Sequence, residues 1–162
     1  MVHSNKAKLF ELGKLATIGI KNMAETGRDS VLNNEIDAII SNGNGSLRIN
    51  GTGIANGTSS VTTSFQVTGT HSLVSIVSMI APSPDWFIGV HDLSLVRNGE
   101  YITDTIVNFD SYDSGTDSGT SFTSVNKPTI PADSISIITD SPLGNGISVR
   151  PAVASIRFLL RK

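Results

Sequence analysis

No cysteine occurs among the 162 residues, which excludes disulfide staples, CxxC redox chemistry and thiolate zinc sites and leaves the redox compartment unmarked. A concentrated basic face is missing as well. The formal net charge is −2, and Arg150, Arg157, Arg161 and Lys162 gather only loosely, so nucleic acid, which needs a stripe of Lys and Arg against its phosphates, is not an expected partner. No apolar run approaches the roughly twenty residues that span a bilayer. Met1-Val2-His3-Ser4 does not open a signal peptide, so an exported form of this sequence is expected to have had its signal removed. What remains is a chain of one-domain length, able to bury roughly two-thirds of its unfolded surface without covalent help.

What is present in excess is local negative charge. Asp110-Ser111-Tyr112-Asp113-Ser114-Gly115-Thr116-Asp117-Ser118-Gly119-Thr120 packs three carboxylates into eleven residues without a cation and repeats Asp-Ser-Gly-Thr in tandem. Like charges held together on an ordered loop are relieved by protonation, full solvation, a basic partner or a metal ion. A hard cation such as calcium takes roughly six to eight oxygens. The loop offers carboxylates, hydroxyls and carbonyls freed by glycine turns. The spacing is not that of an EF-hand, whose loop ends on a bidentate Glu. A solvated polar loop is the competing interpretation.

Around that loop the pattern changes from helical to extended. From Lys8 to Thr26 the apolar residues Leu9, Leu12, Leu15, Ala16, Ile20, Met23 and Ala24 recur at three- and four-residue steps and predict an amphipathic helix stopped at Gly27. Gly13 and Gly19 each weaken it by roughly 1 kcal/mol relative to Ala, so packing must hold it. Asp29 or Ser30 is positioned to cap a second helix through Val31, Ile36 and Ile39. Beyond Ile40, Asn-Gly turns punctuate candidate strands at 47–49, 61–67, 73–80, 86–90, 101–109, 135–138 and 152–160. Leu73 to Ile80 carries apolar residues on both faces, as a strand covered on both sides does. The expectation is a mainly β chain: a single domain in which a helical segment, 1–40, packs on an antiparallel β-sandwich, 41–162.

The run His71-Ser72-Leu73-Val74-Ser75-Ile76-Val77-Ser78-Met79-Ile80-Ala81-Pro82-Ser83-Pro84-Asp85-Trp86-Phe87-Ile88-Gly89-Val90 resembles the signature of the spondin domain. The order continues through Asp92-Leu93-Ser94-Leu95, the acidic loop, and Asn126-Lys127-Pro128-Thr129-Ile130-Pro131, with Met23-Ala24-Glu25-Thr26-Gly27 and Val153-Ala154-Ser155-Ile156-Arg157 similar to the family's ends. The resemblance implies a C2-like sandwich that works outside the cell in adhesion or recognition, binds calcium and has no catalytic activity. It carries the family's metal aspartates onto Asp85, Asp113 and Asp117, with Ser114 where the family motif has Ala. Asp110, Thr116 and Ser118 are left as surrounding, second-tier groups. Where animal members have a cysteine, this chain has Ser94, so packing is expected to replace a disulfide.

Three other readings compete with that one. A C2-like module binding membranes through calcium would need exposed apolar or basic loop tips, for which Phe87 and Lys127 are the hints. Asp-Ser-Gly-Thr also matches the short aspartic-protease motif, yet both copies lie in one loop, and the dyad would then need two subunits. A serine-hydrolase triad lacks its Gly-x-Ser-x-Gly elbow. The expected partner is an extracellular protein or glycan.

Overall fold

The computed structural model describes residues 1–54, 56–146 and 152–161; Arg150 and Lys162, two of the four loosely gathered cations, lie outside them. In chain order the elements are β1 (Val2–His3), α1 (Ile18–Thr26), α2 (Ser30–Ser41), β2 (Gly45–Leu47), β3 (Leu73–Met79), β4 (Trp86–Ser94), β5 (Val96–Arg97), β6 (Glu100–Tyr101), β7 (Asp104–Asn108), β8 (Asp110–Asp113), β9 (Ser136–Ile137) and β10 (Ser155–Leu159). Six strands make one antiparallel sheet in the order β2-β1-β3-β4-β8-β9, while β7 with β10 and β5 with β6 form two-stranded ribbons. The fold is mainly β, a C2-like antiparallel sandwich with helices packed on it.

The large sheet separates two cores. On one face Leu9, Phe10, Ile20, Met23, Ala24, Leu32 and Ile36 from the N-terminal segment bury Phe87, Tyr112 and Ile135. Phe10 meets Phe87 and Tyr112 edge-on, at centroid distances of 5.2 and 5.0 Å, and Phe87 stacks on Tyr112. On the other face Val2, Val74, Leu95 and Phe158 form the second core, joined by Phe65, Val67, Leu93 and Ile156. The double-sided pattern of β3 thus reports cover on both faces. One strand serves both cores because β4 contains a bulge. Val74 pairs with Leu93 and Ile76 with Val90, two steps against three, and Asp92 takes φ 54° at the extra residue. The bulge reverses the alternation, so that Phe87 faces the helices and Leu93 the opposite core.

Several expectations are corrected. The first helix begins at Ile18, not Lys8. Thr17 caps it, its hydroxyl accepting from Ile20 N, and Glu35 of α2 accepts from Gly19 N, so the free N–H groups find acceptors there. Upstream, Gly13 adopts φ 76°, its N–H donates to the Ile135 carbonyl and Ile135 N to that of Lys14, and Leu15 bridges to Ser134 instead of continuing a helix. Leu15 is consequently exposed while Leu9 and Phe10 are buried without being helical. Gly27 closes α1 in the left-handed region, as expected. The 61–67 segment is not a strand. Among the described residues it makes no ladder bonds, and its alternation only lets Phe65 and Val67 lean on the second core.

The span 101–109 divides into β6 and β7, and the two-residue turn Asn98-Gly99, both residues at positive φ, joins β5 to β6. Three strands were not expected at all. β1 lies inside the sheet between β2 and β3, β5 pairs with β6 across the Asn98-Gly99 turn, and the acidic stretch opens as β8, paired with β4.

Candidate metal centre

The site forms where the turn before β4 meets the loop after β8. Pairing of Trp86 with Asp113 sets Asp85 beside the loop, and Ser114 N donates to the Asp85 carbonyl. Residues 114–117 then close over the Asp85 side chain. Its Oδ2 accepts from Thr116 N at 2.7 Å, Ser114 Oγ at 2.9 Å and Asp117 N at 3.0 Å, with Thr116 Oγ1 at 3.3 Å. Asp85 is fully buried, and its Oδ1 has no hydrogen-bond partner among the described residues. A desolvated carboxylate oxygen left bare is expensive, so this atom points to a proton, a water or a cation.

Each Asp-Ser-Gly-Thr copy folds into the same turn. Asp113 Oδ1 accepts from Gly115 N at 2.7 Å and Asp117 Oδ1 from Gly119 N at 2.8 Å, the side chain capping its own backbone two residues on. Asp117 Oδ2 also accepts from Lys127 N at 2.7 Å. Burial pushes the Asp113 carboxyl up to about 6; the charge of Asp85 adds to this, bonds from Gly115 N–H and the Trp86 side chain oppose it, and Asp133 adds a smaller push. Trp86 is itself buried, with its ring edge against Phe122 at 5.6 Å, and anchors the loops from below.

A cavity of about 300 Å³ opens over the loop, walled by Asp113, Asp117, Asp133, Ser118, Thr129 and Ser136 among others. Thr116 touches Asp85, and Ser118 lines the cavity while its hydroxyl lies 2.8 Å from that of Thr129. Asp110 does not join them. It opens β8 opposite Gly89, three residues from Asp113 and on the alternate face. Asp133 is the wall residue that sequence reasoning missed. It lies outside the acidic run, and only its place just after the Thr129-Ile130-Pro131 block hinted at it. Gly115 is what admits it: Asp133 N donates to the Gly115 carbonyl, and a Cβ on Gly115 would fall 2.3 Å from Asp133 O.

The donor set is all oxygen, the kind that hard cations take, and the bare Oδ1 of Asp85 fits such an ion. The aspartates do not form a cage by themselves: among the described residues no three His, Asp or Glu side chains are gathered to hold a metal. Carbonyls, hydroxyls and water would have to complete the shell. Elsewhere Phe87, offered as a loop tip, is fully buried, whereas Val125 and Ile130 on the loop that flanks the cavity are 87% and 88% exposed.

A second polar cluster, also missed, joins buried His3 and Ser75 with Asp92. Ser75 Oγ lies 2.8 Å from His3 Nε2 and accepts from Asp92 N, and Lys8 and His91 flank the Asp92 carboxylate. It is not a catalytic triad. Asp92 Oδ1 approaches the same nitrogen, Nε2, at 3.8 Å, while Nδ1 faces the Ser4 carbonyl, whereas a triad needs serine and aspartate on opposite nitrogens.

Sandwich, helical cover and acidic end cavity together define a C2-like β domain. The family description Spondin_N matches residues 1–146, and the chain belongs to that family. Rat Spondin-2 is 33% identical over 140 residues, covering 86% of this chain and 42% of that protein. Human Spondin-2 is 34% identical over 143 residues, with the same coverage. Rat Spondin-1 is 32% identical over 143 residues, 85% of this chain and 18% of that protein. The chain thus spans less than half of these Spondin-2 relatives and under a fifth of Spondin-1.

Proposed function

We propose that this spondin domain is a calcium-binding recognition module that works outside the cell, with Asp85, Asp113 and Asp117 as its acidic ligands and no bond-breaking chemistry of its own. The observation that carries this reading is the fully buried Asp85 carboxylate whose Oδ1 has no hydrogen-bond partner among the described residues, set beside two further aspartates on a single loop. A bound divalent cation supplies the positive charge that this arrangement lacks. Asp113 and Asp117 orient their carboxylates through their own turns, and Thr116 and Ser114 hold Asp85. The affinity expected of it is the roughly 10⁻⁴–10⁻³ M found in extracellular calcium modules. The family resemblance supports the extracellular placement and an adhesive or glycan-binding partner.

Thermal melts with calcium and with EGTA test it. At a hundredfold excess over Kd, one site adds about 2.7 kcal/mol. Asp117→Asn should remove most of that gain and Asp110→Asn little of it, and superimposable melts of the unmutated protein would sink the assignment. Capture of matrix proteins and glycans should be lost on chelation and return with calcium. Peptide cleavage in acid that disappears in Asp113→Asn would favour the protease reading.

One observation supports a membrane-directed variant of the same module: Val125 and Ile130 stand exposed beside the cavity, with Lys127 between them. Calcium-dependent sedimentation with phosphatidylserine vesicles, abolished in Val125→Ser with Ile130→Ser, is the outcome that would establish it.

A further inference from the structure

We infer that Asp85 meets the cation through Oδ1 alone, its other oxygen being withheld by the first Asp-Ser-Gly-Thr copy, and that Ser114 is a positioning residue for this one-oxygen ligand. The inference rests on the calcium reading above and specifies how one residue serves it.

The two oxygens of this carboxylate have opposite environments. Oδ2 takes two backbone N–H bonds, from Thr116 and Asp117, and the Ser114 hydroxyl, all between 2.7 and 3.0 Å. The Thr116 hydroxyl lies 2.8 Å from Ser114 Oγ, so with Ser114 donating to Asp85, the Thr116 proton is directed to Ser114 and completes the chain. Three donors exhaust the lone-pair directions of one oxygen. Among the described residues Oδ1 receives none, and it is shut away from water. A bidentate cation would have to displace donors from Oδ2 and leave buried N–H groups unpaired, which is unfavourable. Ligand groups held by such outer partners lose their orientation when the partner is removed. Among the described residues, Ser114 is the only side chain donating to Asp85 Oδ2 at 3.0 Å or less, so it supplies the side-chain part of this constraint.

The test uses Asp85→Asn, Ser114→Ala and the unmutated protein, with calcium binding measured by titration calorimetry and folding checked by circular dichroism. In Asp85→Asn the single amide oxygen must occupy the place of Oδ2 to accept three donors, which turns the amide N–H₂ toward the ion. Such a variant keeps the fold and loses at least about a hundredfold in calcium affinity. Ser114→Ala keeps the two backbone donors and loses about tenfold. In calcium-minus-chelator infrared spectra the unmutated protein should show a carboxylate band pair with the wide splitting of one-oxygen coordination, absent from Asp85→Asn. If Asp85→Asn fails to fold, the spectrum of the unmutated protein and the Ser114→Ala affinity decide. A narrow, bidentate splitting, calcium affinity in folded Asp85→Asn within tenfold of the parent, or an unchanged Ser114→Ala affinity overturns this inference alone. No calcium isotherm in the unmutated protein overturns it together with the proposed function.

Discussion

The two Asp-Ser-Gly-Thr copies have identical sequences and begin with the same aspartate-capped turn, yet they end in different environments. In the first, Ser114 and Thr116 are buried and both reach the Asp85 carboxylate. In the second, Ser118 and Thr120 are exposed, and the Ser118 hydroxyl meets that of Thr129. The difference does not lie within the repeat. It lies in what the sheet brings alongside: Asp85, on the turn that enters β4, faces the first copy because β4 pairs with β8. The same four residues thus make an interior scaffold in one position and a cavity wall in the next.

Glycine substitutions probe that asymmetry most strongly. Gly115 holds φ +76°, and a Cβ there would fall 2.3 Å from the backbone oxygen of Asp133. Gly115→Ala is expected to destabilise by about 3 kcal/mol or more, from strain and clash together. At Gly119 the Cβ would meet Pro84 and Ser124 side-chain atoms, the nearest at 2.5 Å, which can shift in part, so Gly119→Ala should cost about 1–2 kcal/mol. Denaturant titration of both variants checks the order, and equal losses would break the comparison.

Removing the threonine hydroxyls sharpens it at a smaller scale. Thr116→Val removes the buried hydroxyl that lies 2.8 Å from Ser114 Oγ and 3.3 Å from Asp85 Oδ2, and should cost about 1–2 kcal/mol. Thr120→Val, at an exposed position, should stay within about 0.5 kcal/mol.

The smallest expected effect concerns pH in the metal-free protein. Asp113 is pushed up to about 6 from an unfolded value near 4, so between these values the native state binds more protons than the unfolded chain. Stability should then rise as pH falls through 6, and the gain is complete below 4. Allowing for solvent screening, the contribution is about 1 kcal/mol. In EDTA, Asp113→Asn should be the more stable protein at pH 7 by that amount, and the two should converge near pH 4. Melts at both pH values check this, and a constant offset would refute it.

The sequence made the outer features legible for physical reasons that act over short distances. β3 and the start of β4 announce themselves by dense β-branched and aromatic residues, α2 by its apolar period, and the Asn98-Gly99 turn by residues that tolerate positive φ. The acidic run was visible as charge, and the spondin resemblance added Asp85, which no local pattern marks. Less could be read where an element depends on its neighbours. β1 has two residues, too few for any period, and is a strand because β2 and β3 both supply ladder partners. β8 is polar in composition, with Tyr112 its one apolar side chain, and is extended because β4 pairs with it. Leu9 falls on the helical period but packs, with Phe10, from an irregular segment.

By itself, then, the sequence determined which donors and acceptors exist and how the chain turns within four residues, because those turns close on groups two positions apart. Only the tertiary structure decided which of them meet. The three donors on Asp85 Oδ2 come from 29, 31 and 32 residues downstream, and the bare state of Oδ1 follows from burial that no local segment specifies. Asp133 reaches the cavity wall through a backbone contact that the absent Cβ of Gly115 permits. Contacts of that length exist only when the sheet has set β4 beside β8, since long-range pairing and burial arise from the packed whole.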